Sequence, residues 1–406
     1  MFLQIAWRNI WRNPGRTAVI LITVVIGVWS MIFLGALMRG MVDGMVENGI
    51  STLTGHIQIH QKDYRTDPVI GNSMRETEKI EVVLDEMLPY GAQYASRIRV
   101  NAIANNARHS AGITFLGIEP EREKNVSFIG DAVVEGRYLR PGDKGIVIGR
   151  ALLNKFDTEI GHKLVIMAQG TDKEMVSRAF RIVGVFRAEM ESTEKNFVFV
   201  SISSAQKMLK MGDGISEISI CLPERGEEQK IAQDIKARLG SMGISAETWK
   251  DLIPLLRAYL DIFDGFMYIW YLVVFAAMGF GIVNTMLMAV YERMREFGLL
   301  KALGMRPFWI LRGVLTESLF LLVLGVVLGN ILGFLCVFAF AQTGIDLSSL
   351  AKGVEMWGIS RTIFPAVVAQ DVFVANFTVI ILGLLVSAYP ATKAAKFTPV
   401  EAMRMN

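Results

Sequence analysis

The chain has 406 residues, of which 52% are hydrophobic, with a mean hydropathy of +0.39 and a formal net charge of +3. That composition excludes an ordinary soluble enzyme and marks an integral membrane protein. The small positive excess is no argument for nucleic acid, and no base-reading motif occurs.

Residues 1–16 read as an interfacial helix on the cytoplasmic side. Trp7 and Trp11 lie four apart, as do Arg8 and Arg12, which sets an aromatic pair beside a basic pair as an interfacial anchor. Pro14-Gly15 then turns the chain into the first of four uncharged windows, Thr17–Met38, Gly265–Tyr291, Ser318–Ile345 and Val372–Thr392. A bilayer core of about 30 Å needs roughly 20 helical residues, so each window spans it. The spans are assigned to 17–38, 265–291, 318–342 and 372–392. The first is too long for a signal-peptide core and lacks a small-x-small cleavage site, so it is expected to stay as an anchor.

Charge sets the orientation. Arg8, Arg12 and Arg16 precede the first span, Arg293, Arg295, Lys301, Arg306 and Arg312 separate the second from the third, and Lys393, Lys396 and Arg404 follow the fourth. Glu292, Glu296 and Glu401 are the acids set against them. The external loop 343–371 shows no such excess. Lys and Arg concentrate on the cytoplasmic side, so both termini are expected inside and the large segment between the first two spans outside. The segment 292–312 and the tail 393–406 are then cytoplasmic.

Apolar residues at helical spacing extend the first helix outward to about residue 50, and a matching run begins the second near Pro254. A helix over 254–291 is roughly 57 Å long at ~1.5 Å per residue, well beyond the hydrocarbon thickness, so the two helices are expected to form a stalk. Between them, residues 51–252 switch to period two. Strands are predicted at His56–His60, Ser96–Ile103, Ile113–Ile118, Ile146–Ile148, Lys163–Met167, Phe180–Phe186, Asn196–Val200 and Glu217–Leu222. Helices are predicted at Ala151–Phe156, Ser203–Leu209 and Glu227–Leu239. The class is a four-span α-helical membrane protein with a large α+β extracytoplasmic domain. That domain is drawn as two lobes, 51–119 with 216–252, and 120–215.

No phosphate-loop motif occurs, so any ATP must be hydrolysed by another chain. His56, Gln58 and His60 share a strand face, but two imidazoles without a third ligand make a poor metal site. Neither a nucleophile elbow nor an acid-base constellation is present, and no enzymatic activity, metal or bound cofactor is expected. Cys221 falls in the outer domain and Cys336 in the third span, which implies no disulfide. The spans carry almost no ionisable groups, which argues against ion-coupled carriers. Gly325, Gly329 and Gly333 recur every four residues, a stripe that admits close helix packing. Met31, Met38, Met41, Met45, Met267, Met278 and Met286 on the first two helices fit either ordinary packing or a surface for variable apolar ligands.

Three stretches resemble the FtsX/MacB-type permeases, the type VII class of ABC transporters. The cytoplasmic run from Arg295-Glu296-Phe297-Gly298 through Lys301-Ala302-Leu303-Gly304 is similar to the family's coupling region, with Phe297 and Lys301 as mild departures. Pro390-Ala391-Thr392-Lys393 and Pro399-Val400-Glu401-Ala402 resemble its closing motif. Val134-Glu135-Gly136-Arg137, Gly145–Gly149, Gly161–Leu164 and Arg181–Phe186 resemble its MacB-like periplasmic core domain. Architecture and size are nearest the lipoprotein-releasing LolC/LolE group.

The resemblance implies a mechanotransmission permease in the bacterial cytoplasmic (inner) membrane. Its partners are a cytoplasmic ABC ATPase dimer holding the ATP and Mg, a second permease copy or homologue, a periplasmic carrier or adaptor, and membrane lipids. Glu292, Arg293, Arg295, Glu296, Phe297, Gly298, Leu300, Lys301, Ala302, Gly304 and Met305 are implied to seat in the ATPase. The first two helices, with the methionines above, are implied to form a substrate cleft. Extraction of a lipoprotein, lipid or other hydrophobic substrate is the leading expectation. The alternatives are efflux of peptides or hydrophobic drugs with an adaptor, and signalling to a cell-wall hydrolase without transport.

Overall fold

The computed structural model describes residues 2–66, 69–347 and 362–397, with side chains from residue 7 onward. In chain order the principal elements, short helices such as Arg150–Lys155 aside, are α1 (Phe2–Arg12), α2 (Pro14–Gly49), β1 (Ile57–Gln61), α3 (Thr77–Met87), β2 (Gln93–Asn105), β3 (Ser110–Ile118), β4 (Val133–Gly136), β5 (Gly145–Gly149), β6 (Lys163–Gln169), β7 (Met175–Phe186) and β8 (Phe197–Ser201). There follow α4 (Ile202–Leu209), β9 (Glu217–Cys221), α5 (Glu228–Leu239), β10 (Ile244–Thr248), α6 (Trp249–Leu252), α7 (Pro254–Glu292), α8 (Met294–Ala302), α9 (Pro307–Thr343), β11 (Ile345–Asp346), β12 (Thr362–Ile363) and α10 (Ala369–Lys396). The tail motif Pro399–Arg404 and residues 348–361 of the external loop lie outside the described residues. Two compact units result. The first holds residues up to Asp43, Leu260–Leu347 and the chain from Thr362; the second is Gly44–Tyr259.

In the first unit α2, α7, α9 and α10 are each long and apolar enough to cross a bilayer. Pro14 and Pro307 open α2 and α9, where a missing N–H costs nothing. Helix α2 packs between α7 and α9. On one side its Gly27 and Gly35 admit Met278 and Tyr271 of α7. On the other, the glycine stripe of α9 admits Val24, Val28 and Ile32 of α2. A Cβ at Gly325, Gly329 or Gly333 would come within 2.5, 2.6 and 3.0 Å of those three side chains. Asn330 of α9 and Asn376 of α10 exchange amide hydrogen bonds of 2.9 and 3.1 Å, a polar pairing whose alternative is an unsatisfied amide in lipid. Large apolar side chains such as Ile22, Ile269, Phe280, Phe338 and Phe373 point outward, as lipid contact requires.

The methionine cleft is corrected here. Met31, Met267, Met278 and Met286 are buried inside the bundle, 4% exposed or less, and Met278 and Met267 fill the notches at Gly27 and Gly35. They are packing residues. Met38, Met41 and Met45 are half-buried.

In the second unit the hydrogen-bonded order is β10-β1-β9-β2-β3-β8-β5-β7-β4, with β6 joining β2 to β7. The path β2-β3-β8-β5-β7-β6 therefore closes on itself as a six-stranded ring. Its interior is filled by inward residues of every strand, among them Ile98, Phe115, Ile148, Ile166, Phe180 and Val198, and Ala205 and Leu209 of α4 pack into the same core. The remaining strands β9, β1 and β10 extend the sheet. Their apolar face, with Ile59, Ile218 and Ala246, packs on Ile80 and Leu84 of α3 and on Ile235 and Leu239 of α5.

The two-lobe division drawn from sequence fails at β2. Gln93–Arg97 pair with β9, while Ala102–Asn105 pair with β6, so one strand belongs to both halves. Strand β3, assigned to the 51–119 part, lies in the ring beside β8 of the 120–215 part.

The chain enters this unit through a tight turn at Ile50–Thr54, where Leu53 takes φ +89° although its side chain is bulky and buried. The fully buried Arg97 holds the turn by donating to the Leu53 carbonyl. The same guanidinium donates to Glu123 at 2.6, 2.9 and 3.1 Å. Fully desolvated charge is tolerable only with this density of partners.

Candidate coupling surface and ion layers

The cytoplasmic segment between α7 and α9 folds as the short helix α8. Gly304 ends it: with φ +93° its N–H reaches the Lys301 carbonyl at 2.9 Å, and Met305 N–H reaches Leu300 at 3.0 Å. This paired closure needs a left-handed residue, which glycine adopts without penalty.

The predicted docking residues divide into two sets. Phe297 and Gly298 are buried with Met294 against the helix's own surroundings, so they cannot form a docking face. The helical period turns them inward, a correction to their assignment. Of the predicted residues Arg295, Ala302 and Gly304 are exposed; Leu299, Leu303 and Phe308, which the prediction left out, are 63, 78 and 62% exposed. Leu300, Lys301 and Met305 are half-buried. Exposed apolar side chains thus stand beside the exposed Arg295 and Arg306 in this segment.

The other named residues tie α8 to its neighbours. Arg12 of α1 pairs with Glu296, and Arg16 of α2 with Glu292. Arg293 bridges to Glu317 of α9 at 2.8 Å and lies over the Phe297 ring. Lys301 Nζ donates to the Ala395 and Phe397 carbonyls at the end of α10, 2.6 and 2.7 Å away. Burial tends to raise the Glu296 carboxyl, but the hydrogen bond and charge of Arg12 outweigh it and hold the group below its ordinary value. Trp7 and Trp11 of α1 are about half exposed, their rings edge to face at 6.0 Å, and Trp7 meets Phe320 of α9. Arg8 is exposed.

A second layer closes the other end of the same helices. Arg39 of α2 donates to Asp371 of α10 at 2.7 and 3.0 Å and to Asp264 of α7 at 2.7 Å, with its guanidinium over Phe263. Alongside, Ala366 N–H donates to the Ala36 carbonyl at 2.9 Å. Sequence reasoning did not find this cluster, yet the signal was present. Arg39, Asp264 and Asp371 each directly flank the outer end of an uncharged window, which sets three charges at one depth.

In the outer unit His56 Nδ1 accepts from Leu222 N–H at 3.2 Å, while His60 turns its Nδ1 to the Gln61 carbonyl at 3.1 Å, so the two imidazoles take separate partners. Burial pushes the Cys221 thiol up, and it donates to the Val126 carbonyl at 3.2 Å.

Four apolar helices and an α+β domain inserted after the first of them define a multi-pass membrane protein. The model of the MacB-like periplasmic core domain matches residues 17–238, and that of the FtsX-like permease C-terminal region matches residues 268–399. The chain belongs to the FtsX/MacB-type ABC transporter permeases and is related to the LolC/LolE group.

The lipoprotein-releasing system transmembrane protein LolC of Neisseria meningitidis is 24% identical over 405 residues, covering 96% of this chain and 94% of that protein. LolC of Xylella fastidiosa is 22% identical over 331 residues, 78% of each. The macrolide export ATP-binding/permease protein MacB of Chlorobaculum tepidum is 35% identical over 124 residues, 30% of this chain and 16% of that protein.

Proposed function

We propose that this chain is the non-enzymatic permease subunit of an ATP-driven transporter that lifts a lipoprotein or lipid from the bacterial inner membrane. ATP and Mg are bound by a separate cytoplasmic ATPase dimer that seats on Leu299, Leu303 and Phe308, and a second permease copy or homologue completes the complex. The observation that carries this reading is the attachment of α8 with its leading Arg293: Glu296, Arg293 and Lys301 bond it to α1, α9 and α10, and Arg16 of α2 pairs with Glu292 at the end of α7 just before it. A force applied at the patch is delivered to the membrane helices together, and α2 and α7 carry it outward. Energy input is required because withdrawing an acyl chain from lipid costs about 0.8 kcal/mol per CH₂. The name and near full-length match of the Neisseria relative support a lipidated cargo.

The test is reconstitution of both permeases and the ATPase in liposomes loaded with a triacylated lipoprotein. ATP-dependent transfer of that lipoprotein to a soluble acceptor is expected. Failure to release any lipidated cargo while ATP is hydrolysed would exclude extraction. The short, more identical match to MacB supports a second reading, export of a hydrophobic peptide or drug through an adaptor. It predicts drug hypersensitivity on deletion with lipoprotein release intact.

A further inference from the structure

The turn by which the chain passes from α2 into β1 is held more closely than a connection requires. Its five residues, Ile50–Thr54, are closed by the Gly55 N–H on the Ile50 carbonyl at 2.8 Å. Three further carbonyls are each taken by a different part of the outer unit. The Ser51 carbonyl accepts from Phe128 N–H at 3.2 Å and the Thr54 carbonyl from Ser219 Oγ at 3.3 Å. The Leu53 carbonyl accepts from Nη1 of Arg97 on β2. The Leu53 side chain, 1% exposed, packs with Leu116, Ile118 and Phe199.

Two costs converge at this point. Leu53 sits at φ +89°, ψ −12°, a left-handed conformation that a bulky side chain disfavours and that persists only where the surroundings impose it. Arg97 and Glu123 are both fully buried, with Glu217 beside them. Replacing a buried ion pair by apolar side chains of like volume is often neutral or stabilising, so stability alone does not account for this one. Its geometry does. Glu123 takes Nε and Nη2 of Arg97, which fixes the guanidinium plane and leaves Nη1 for the Leu53 carbonyl.

We infer that Arg97 is the positioning residue of this joint: by holding the Leu53 carbonyl it keeps a strained turn in the one conformation that fixes the end of α2 against the sheet. The last turn of α2, Gly44–Gly49, belongs to the same compact unit as the sheet. Its other ties are slighter, an exposed ion pair of Glu47 with Arg225 and the close approach of Ile253 and Leu256 at Gly49. With the Leu53 carbonyl released, the turn would relax to an ordinary backbone conformation and the helix would swivel instead of carrying the sheet with it. The role of Arg97 in transport rests on the function proposed above, because a stroke carried outward along α2 reaches the sheet only through a joint that does not yield.

One arm of the experiment needs neither variant nor cargo. In residue-resolved hydrogen exchange of the full-length protein in nanodiscs, the Gly55 and Phe128 amides, which bond turn carbonyls, are expected to exchange within tenfold of the β1 amides. Faster exchange would mean a loose joint and overturn the assignment. The second arm replaces the buried cluster, Arg97→Met with Glu123→Leu and Glu217→Gln, and sets spin labels at Asp43→Cys on α2 and Val82→Cys on α3, both exposed, after Cys221→Ser and Cys336→Ser. The label-to-label distance distribution is expected to be at least twice as wide in the variant as with the native cluster. With both permeases and the ATPase in liposomes, lipoprotein released per ATP is expected to fall at least fivefold while ATP hydrolysis stays within twofold. An unchanged width overturns the positioning role; a wider distribution with unchanged release per ATP overturns its part in the stroke. If the native complex releases no lipoprotein, the cargo reading fails, and exchange and distance still decide the joint. Should the variant fail to fold, exchange decides alone.

Discussion

Arg39 joins three helices with one guanidinium, and its worth follows from where it sits. Its side chain is 24% exposed and that of Asp371 16%, so the pair lies between an exposed bridge, worth under about 1 kcal/mol, and a buried one, whose disruption costs about 3–5 kcal/mol. A double-mutant cycle with Arg39→Gln and Asp371→Asn is expected to give a coupling of roughly 1–3 kcal/mol in thermal unfolding of the purified protein. A coupling within error of zero would show that the layer is incidental. In the outer unit the hydrogen bond from Arg137, with that of the Gly145 N–H, holds Asp143 below the ordinary carboxylate range despite partial burial. A depressed folded pKa stabilises above the unfolded value, 3.8, and that contribution is lost as pH falls through the folded one. The melting temperature of this unit should drop on acidification below about pH 4 in the wild type. Asp143→Asn should flatten that part of the profile, and an unchanged slope would contradict the assignment.

Among the elements, α9 offers an internal control. A side chain at Gly329 meets Val28 and the Val25 carbonyl, whereas one at Gly313 meets open space. Gly329→Leu should destabilise by about 1–3 kcal/mol through overpacking, with Gly313→Leu close to neutral, as read from melting in detergent. Equal effects would remove the stripe from the packing argument. For α8, Leu303→Asp is expected to reduce co-purification of the ATPase at least tenfold while the melting temperature stays within error; undiminished capture would exclude this patch. Gly298→Arg would be a poor probe of docking, because Gly298 is buried.

The elements legible in sequence were those with strong period. The eight strands placed by alternation all occur, with ends shifted by a few residues. Four strands were missed: the two-residue β11 and β12, and β4 and β10, which are the two ends of the large sheet's order. An edge strand buries less, and β4 has four residues with a bulge between Val133 and Glu135. Helix α3 was missed because its charged face hid the Ile80, Val83, Leu84 and Met87 repeat. The coupling segment was legible as a helix between spans. Which of its faces is free depends on α1, α9 and α10 packing around it, and that is tertiary information.

At the scale of the whole molecule, fixed charge stands in two layers at the helix ends, and the four windows between them carry none. This has an electrical consequence. An elementary charge crossing the full membrane potential exchanges about 2.3 kcal/mol per 100 mV with the field. Helices that tilt or slide while their interior is neutral and their terminal charges stay outside the hydrocarbon core move almost no charge across the field. The stroke should therefore be blind to voltage, able neither to draw on the resting potential nor to be stalled by it. Clamping proteoliposomes at zero or at 100 mV, inside negative, with potassium and valinomycin should leave ATP-driven turnover within about twofold. A steep dependence on voltage would mean that a charged group travels with the cargo or the helices.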